Sequence, residues 1–166
     1  MHALPYWLDA NVFIDANNGI VSSVELAPSF WIWLETQLKQ GVMRSSSEVF
    51  TEIMGKDDGL KKWAINKKKE SYWCEPDPAV QARQRQVADY VVARYATISP
   101  AQTTSFLSKA DCWIIAHAWA TSGTVVCGET KVDKNSNTPK VPNVCEHFDV
   151  PHVTASMMLR ALNFRL

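Results

Sequence analysis

The sequence predicts an α/β fold, and two observations support this class. The apolar run at residues 4–8 has the length of a buried strand, and a helical pattern follows it from about Asn11. The same alternation returns later, where a helical pattern ends at Gly123 and residues 124–127 have the composition of a buried parallel strand. With 166 residues and 46% hydrophobic content, residues 1–166 are expected to form a single domain with a substantial core.

The other elements follow from apolar spacing and from residues that begin or end helices. Helices are expected over residues 11–17, 28–40, 48–54, 79–96, 106–120 and 154–163, and strands at 4–8, 42–43, 124–127 and within 143–150. Pro28 suits the first turn of the second helix, and Gly41 ends that helix. Ser45 and Glu48 fit a capping box at the start of the third helix, and Thr154 can cap the last one.

Four acidic residues stand where a carboxylate is well placed for chemistry or needs a partner. Asp9 and Glu129 follow predicted strands, and ligands bind at the carboxyl ends of strands in open α/β sheets. Asp111 falls within the apolar stripe of its helix, where it needs a hydrogen bond, an ion pair or a metal. Glu52 lies one turn beyond Glu48 and has no local partner. Each has an ordinary alternative: Asp9 can cap a helix, and Glu52 can be solvated or ion-paired.

If the strands are parallel neighbours, these acids converge at one edge of the sheet. Carboxylates packed together repel one another and take up protons unless a cation neutralises them. Oxygen ligands favour Mg²⁺ or Mn²⁺, whereas the four cysteines are far apart and include no Cys-x-x-Cys pair, which argues against zinc. Such a centre can hydrolyse phosphodiesters by activating a water and neutralising charge on the leaving oxygen.

The charge pattern leaves nucleic-acid binding to local patches. Basic and acidic residues number 17 each, so the net charge provides no general attraction to nucleic acid. Lysines and aromatic residues alternate within residues 56–85, which can bind a nucleic-acid strand by phosphate contacts and stacking or can simply form a solvated face. The candidate contacts are Lys61, Lys62, Lys67 and Lys68 in this segment, and Lys131 and Lys134 in the later polar loop. Most of the seven tryptophans lie in apolar stretches and are expected in the core.

Four motifs in a fixed order resemble the PIN-domain nuclease family, and in particular its VapBC-type bacterial toxins and a somewhat longer PIN-like branch. The similarity spans about residues 6–150. The motifs are Leu8-Asp9-x-Asn11-Val12-Phe13, Ser47 followed by Glu52, Ala110-Asp111-x-Trp113-Ile114-Ile115-Ala116, and Val125-Val126-Cys127-Gly128-Glu129.

The resemblance implies a three-layer α/β/α sandwich around a mainly parallel sheet of four or five strands. It also implies Mg²⁺- or Mn²⁺-dependent endoribonuclease activity on an RNA substrate, with a cognate antitoxin protein as partner, and it suggests a homodimer. The implied catalytic and metal-binding acids are Asp9, Glu52, Asp111 and Glu129, with Asn11 supporting the first, Asp133 in reserve for the fourth and Asp15 as a weaker support. Cys127 stands where the family usually has Thr or Ser, and Glu129 where Asp is commoner.

Two other functions stay open, together with an expectation about location. A PIN-like binding module that has lost the reaction is consistent with Cys127 and with the neutral charge. A haloacid-dehalogenase-like phosphotransferase would use Asp9 as its nucleophile, although such enzymes have Asp-x-Asp and this chain has Asn11. No apolar run approaches a membrane span and no secretion signal begins the sequence, so a cytoplasmic protein without membrane contact is expected.

Overall fold

A five-stranded, all-parallel sheet forms the centre of the protein in this computed structural model, which describes residues 4–19, 22–129 and 133–165. Every pair of neighbouring strands is parallel. The strands are β1 (Tyr6–Leu8), β2 (Met43–Ser46), β3 (Trp73–Cys74), β4 (Thr124–Val126) and β5 (His152–Val153). Their spatial order is β3-β2-β1-β4-β5.

Helices cover both faces of this sheet. Those within the described ranges are α1 (Ala10–Asn18), α2 (Pro28–Lys39), α3 (Ser47–Ile53), α4 (Gly59–Ile65), α5 (Pro78–Tyr95), α6 (Pro100–Ser108), α7 (Asp111–Ala120), α8 (Val141–His147) and α9 (Ala155–Ala161). One group brings α1, α3 and α4 together. In the other, α7 lies on β1, β2 and β4 and contacts α5, α6 and α8. The predicted α/β class and three-layer sandwich are confirmed, with five strands.

The order of the strands creates a switch point between β1 and β4. The chain passes from β1 to β2 and β3 on one side, and then returns to place β4 and β5 on the other side. Leu8 pairs with Val126, and the N–H of Asp9 donates to the Val126 carbonyl at 3.0 Å. In open α/β sheets the crevice at the carboxyl ends of such a strand pair is the usual ligand site. Asp9 therefore stands directly at that crevice.

Two of the sequence predictions about elements are wrong. The expected helix at residues 106–120 is interrupted at Lys109, whose backbone is extended with φ −99° and ψ −179°, so that α6 ends before it and α7 begins at Asp111. The expected strand within residues 143–150 is instead α8, with Pro142 in its first turn, where the missing proline N–H is tolerated. The last strand, β5, follows it. The segment at residues 56–85 also contains α4 and β3, which the sequence pattern did not predict.

The predicted capping box of Ser45 and Glu48 is also wrong. Ser45 lies in β2, where its buried hydroxyl donates to the Leu8 carbonyl at 2.8 Å and joins the ends of β2 and β1. Ser46 is the residue that caps α3, because its hydroxyl accepts from the Val49 N–H at 3.2 Å. The Glu48 carboxylate is left with a buried Oε2 that has no hydrogen-bond partner among the described residues.

Aromatic side chains fill much of the core, as predicted for the tryptophans. Trp7, Trp31 and Trp73 are buried, and Trp63 packs against the latter two and against Phe13. All four cysteines are free thiols, in line with the absence of a zinc motif. Among the helices of the described ranges, none combines the length and the apolar character that crossing a bilayer requires.

Candidate metal centre

Asp9 is a buried acid immediately after β1. It occupies the N-cap position of α1 with an extended backbone, yet its carboxylate accepts no capping hydrogen bond, and only 2% of the residue is exposed. Burial raises the pKa of Asp9 to about 7. The Ala10 N–H lowers this pKa, the charges of Glu52 and Glu129 raise it further, and the Asn11 N–H lowers it slightly.

Asp111 is the second acid with a raised pKa; it is partly buried and lies in the first turn of α7 rather than inside a longer helix. A helix N-terminus favours a negative charge, but here other effects are larger. Burial raises the pKa of Asp111 to about 8, followed by the charges of Asp9, Glu52 and Glu129, while Lys109 lowers it. The negative form of Asp111 is thus disfavoured by its surroundings.

The four predicted acids lie within electrostatic range of one another. Glu52, Glu129 and Asp9 each raise the pKa of Asp111, and the first two also raise that of Asp9. The elements explain this convergence: two acids follow the adjacent strands β1 and β4, one begins α7 on top of those strands, and one lies in α3 after β2. The crevice at the switch point is consequently acidic, and the pKa values of Asp9 and Asp111 are raised to near neutral pH.

Glu52 and Glu129 are each held by a backbone amide. Glu52 Oε2 accepts from the Ala110 N–H at 3.2 Å, which fixes the residue just before α7. Glu129 Oε2 accepts from the Val141 N–H at 2.9 Å, and its Oε1 lies 3.4 Å from Lys140 Nζ. Sequence reasoning missed these amide partners because backbone groups carry no residue signal; Pro142, typical of a first helical turn, was the only indication of a helix start near Val141.

The predicted supporting residues are placed less centrally. The Asn11 side chain is exposed, and this residue acts on Asp9 through its backbone N–H. Asp133 is exposed, accepts from the Asn135 N–H at 3.0 Å, and is not among the charges that shift Asp9 or Asp111. Asp15 lies against Gly128, since a Cβ on that glycine would stand 2.9 Å from Asp15 Oδ2. A side chain at position 128 would therefore clash with the acid next to the crevice.

Cys127 lies between β4 and Glu129. It is 1% exposed, and its Sγ lies 3.8 Å from the Glu129 carbonyl, to which the thiol can donate. Burial raises the pKa of Cys127 to about 11, so the side chain stays a thiol near neutral pH. The thiol can replace a hydroxyl as a weak hydrogen-bond donor, but it adds no negative charge to the crevice.

The donor set fits a hydrated hard cation better than a fully enclosed one. Among the residues that the structure describes, no three Asp, Glu, His or Cys side chains are already grouped as ligands of one ion. Mg²⁺ commonly uses one or two carboxylates and retains several waters. Among the described residues no side chain is hydrogen-bonded to the Asp9 or Asp111 carboxylate, so these two could hold such an ion, with Glu52 and Glu129 contacting its waters. A divalent charge would also offset the repulsion that adds to the effect of burial on both pKa values.

The lysines predicted to contact nucleic acid differ in their exposure and in their ion pairs. Lys67 pairs with Glu35 at 2.7 Å and lies 5.5 Å from the Trp63 ring, while Lys61 pairs with Asp57 at 3.8 Å. Lys62 and Lys68 are exposed. Trp73 is buried and Trp63 is partly buried against the core, so stacking of a nucleic-acid base on these rings stays a prediction. Lys134 is exposed on the polar loop, and Lys131 lies outside the described residues.

Comparison with known proteins gives one match. A family model matches residues 6–166, and its description is a domain of unknown function, DUF4411. Neither the curated proteins nor the solved structures contain a match to this chain.

Proposed function

The chain belongs to the DUF4411 family, and because that family's description assigns no activity, we propose from the acidic crevice that the protein is a metal-dependent endoribonuclease. The observation that carries this proposal is the pair Asp9 and Asp111. Asp9 is buried and Asp111 is partly buried at the switch point of a parallel sheet, and the pKa of each is raised, to about 7 and about 8. Folding two such acids together is unfavourable unless a ligand uses them, and functional sites are where such groups concentrate.

The chemistry follows from these residues and from the ion they would hold. A bound Mg²⁺ or Mn²⁺ supplies Lewis acidity, which activates a water and stabilises charge on the leaving oxygen of a phosphodiester. Asp9 and Asp111 bind the ion. Glu52 and Glu129 accept hydrogen bonds from the Ala110 and Val141 N–H groups, which hold the starts of α7 and α8 beside the ion. The ion also attracts an anionic strand to a protein with no net charge.

The choice of RNA as substrate rests on the resemblance to PIN-domain nucleases in the order and spacing of the four motifs. On the same basis the protein is the toxin of a toxin-antitoxin pair, which forms a homodimer and is bound by a cognate antitoxin. A cytoplasmic site of action follows from this role. These assignments rest on the motifs alone, and a gene for a small DNA-binding protein beside this one would support them.

Replacing single acids tests the activity. Asp9→Asn and Asp111→Asn are each expected to reduce Mn²⁺-dependent cleavage of internally labelled RNA by at least about 100-fold, because each removes a metal-binding charge. Asp149→Asn is the matched control. This acid is exposed, and it precedes β5, so it lies near the amino ends of the parallel strands, whereas the crevice lies at their carboxyl ends. Its φ of 54° is one that Asn tolerates. Wild-type cleavage by either crevice variant would overturn the assignment.

One observation favours a second candidate, a binding module without catalysis. Glu52 and Glu129 are directed at backbone amides, and no three potential ligands in the described ranges are already grouped around one ion position. Calorimetry with Mn²⁺ separates the two functions. The nuclease binds the ion in a manner that Asp9→Asn and Asp111→Asn abolish, whereas the binding module shows no heat that depends on these acids.

A further inference from the structure

A polar cleft of about 250 Å³ lies between the carboxyl-terminal half of α5 and helix α8. Its walls are formed by Tyr90, Arg94, Tyr95, Lys134, Asn143, Glu146 and His147. We propose that this cleft is a nucleotide subsite, which binds one phosphate and the adjoining nucleoside of the RNA strand beside the acidic crevice. The proposal rests on the nuclease function and goes beyond it, because it assigns substrate contacts to residues that the four acidic motifs do not include.

Two cationic side chains provide the phosphate contact. Arg94 is half-buried, with its guanidinium 5.0 Å from the Tyr95 ring, and Lys134 is exposed on the polar loop. Neither has a carboxylate within ion-pair distance in the part of the chain that the structure describes. Glu146, the acid of this cleft, lies 3.8 Å from His152. An Arg and a Lys that line one cleft, neither of them in an ion pair, favour an anion, and Arg in particular suits a phosphate.

Asn143 indicates that the ligand also carries a hydrogen-bond donor. Its Nδ2 donates to the Asp133 carbonyl at 3.1 Å, which fixes the orientation of the amide. The Oδ1 is buried, and no donor reaches it in the described residues. Asn143 lines the cleft, and a buried acceptor without a partner is unfavourable, so a ligand donor that reached this oxygen would gain binding free energy. A ribose hydroxyl or a base amino group is such a donor.

An aromatic surface completes the cleft. The rings of Tyr90 and His147 are stacked with centroids 3.6 Å apart and planes 10° from parallel, so that the exposed His147 presents a flat face. Single-stranded RNA is bound largely by stacking of its bases on such rings. Cationic groups, an unpartnered acceptor and a flat ring together match a nucleotide and exceed what a simple anion needs.

The position of the cleft connects it to the acids. Asn143 belongs to the first turn of α8, and Val141 in the same turn donates to Glu129. Lys140, just before this helix, contacts the same carboxylate. An RNA strand whose scissile phosphate lies at the crevice would therefore extend along the start of α8 and reach the cleft. The subsite fixes the register of the strand without supplying a group to the reaction.

Binding without cleavage tests the proposal. The wild-type protein and the variants Arg94→Gln and Lys134→Gln are titrated in EDTA with a short, fluorescein-labelled single-stranded RNA, and anisotropy is followed at several salt concentrations. Each variant is expected to bind about tenfold more weakly, the usual loss for one charge-assisted contact, with a salt dependence reduced by about one phosphate contact. Arg85→Gln is the matched control, since Arg85 is exposed on the same helix about two and a half turns earlier, on the opposite side.

The outcomes separate this proposal from the nuclease function. If Asp9-dependent cleavage is found but Arg94→Gln and Lys134→Gln bind RNA like Arg85→Gln, the subsite is wrong and the nuclease stands. If the wild type cleaves no RNA but binds adenosine 5′-monophosphate, and Arg94→Gln weakens that binding while Arg85→Gln does not, the subsite stands alone. A wild-type protein that binds neither probe in EDTA overturns the subsite.

Discussion

Asp9 shows how a single residue can lower the stability of the fold that carries it. An unfolded Asp has a pKa near 3.8, whereas burial raises that of Asp9 in the folded protein to about 7. Between these values the folded state binds a proton that the unfolded state has released. Stability therefore falls as the pH rises from about 4 through about 7, and the loss is complete above the folded pKa.

Asp9→Asn removes this loss. In EDTA the variant is expected to melt above the wild type, and the difference should widen between pH 5 and pH 8, reaching on the order of 2 kcal/mol, or several degrees in Tm. Thermal melts followed by circular dichroism check this, with Asp149→Asn expected to follow the wild type at both pH values. A difference that narrows as the pH rises would contradict the role given to burial.

His117 lowers the stability of the fold as the pH falls, whereas Asp9 lowers it as the pH rises. It is 2% exposed, stacks on Trp7 with centroids 4.6 Å apart, and its Nε2 has no partner among the described residues. Burial lowers its pKa from 6.5 to about 4, so below pH 6.5 the unfolded chain takes up a proton that the folded chain refuses. Stability is present above pH 6.5 and is lost as the pH falls towards 4.

His117→Leu is therefore expected to lose stability at pH 7, because the stacking on Trp7 is removed, but to lose less than the wild type on acidification. Between pH 7 and pH 4.5 its decrease in unfolding free energy should be smaller than that of the wild type by about 1 to 2 kcal/mol. Urea unfolding at the two pH values measures this. Equal decreases in both proteins would show that His117 does not carry the acid sensitivity.

At the scale of elements, the break between α6 and α7 shows where sequence patterns stop being sufficient. Apolar spacing continues across residues 106–120, and neither Gly nor Pro marks Lys109. The interruption coincides with a tertiary hydrogen bond, from the Ala110 N–H to Glu52, which comes from a helix far away in the chain. The pattern could identify Asp111 as an acid in need of a partner, but not that it begins a helix.

Two substitutions separate the effect of the Glu52 charge from the effect of its hydrogen bond. Glu52→Gln keeps an acceptor for the Ala110 N–H, so it should melt within about a degree of the wild type while its Mn²⁺-dependent activity falls. Glu52→Ala loses both and is expected to be less stable by about 1 kcal/mol, or roughly 2 to 4 °C. Melting curves and cleavage rates of the two variants, measured together, show which effect comes from the charge and which from the hydrogen bond. Equal melting temperatures would mean that the bond does not hold the start of α7.

At the scale of the whole molecule, alternation of helices and strands predicts the class but not the order of the strands. The two apolar runs that become β1 and β4 are recognisable, whereas β3 and β5 have two residues each and leave no periodic signal. That β1 and β4 are neighbours is a property of the topology, and it is what brings Asp9 and Glu129 to the same crevice. The motifs identified the acids, and only the fold explains why they share one electrostatic environment.

Metal binding should oppose the loss of folding stability that rising pH causes in the metal-free protein. An ion that binds only the folded state stabilises it by about 2.7 kcal/mol at 100 times its Kd, which corresponds to roughly 5 to 10 °C for a domain of this size. Because Mn²⁺ competes with protons for Asp9 and Asp111, the rise in Tm should be larger at pH 8 than at pH 5. Asp9→Asn should show little rise, and Asp149→Asn the full one. If Mn²⁺ raised the Tm of Asp9→Asn as much as that of the wild type, the ion would be binding elsewhere, and the crevice would not be the metal centre.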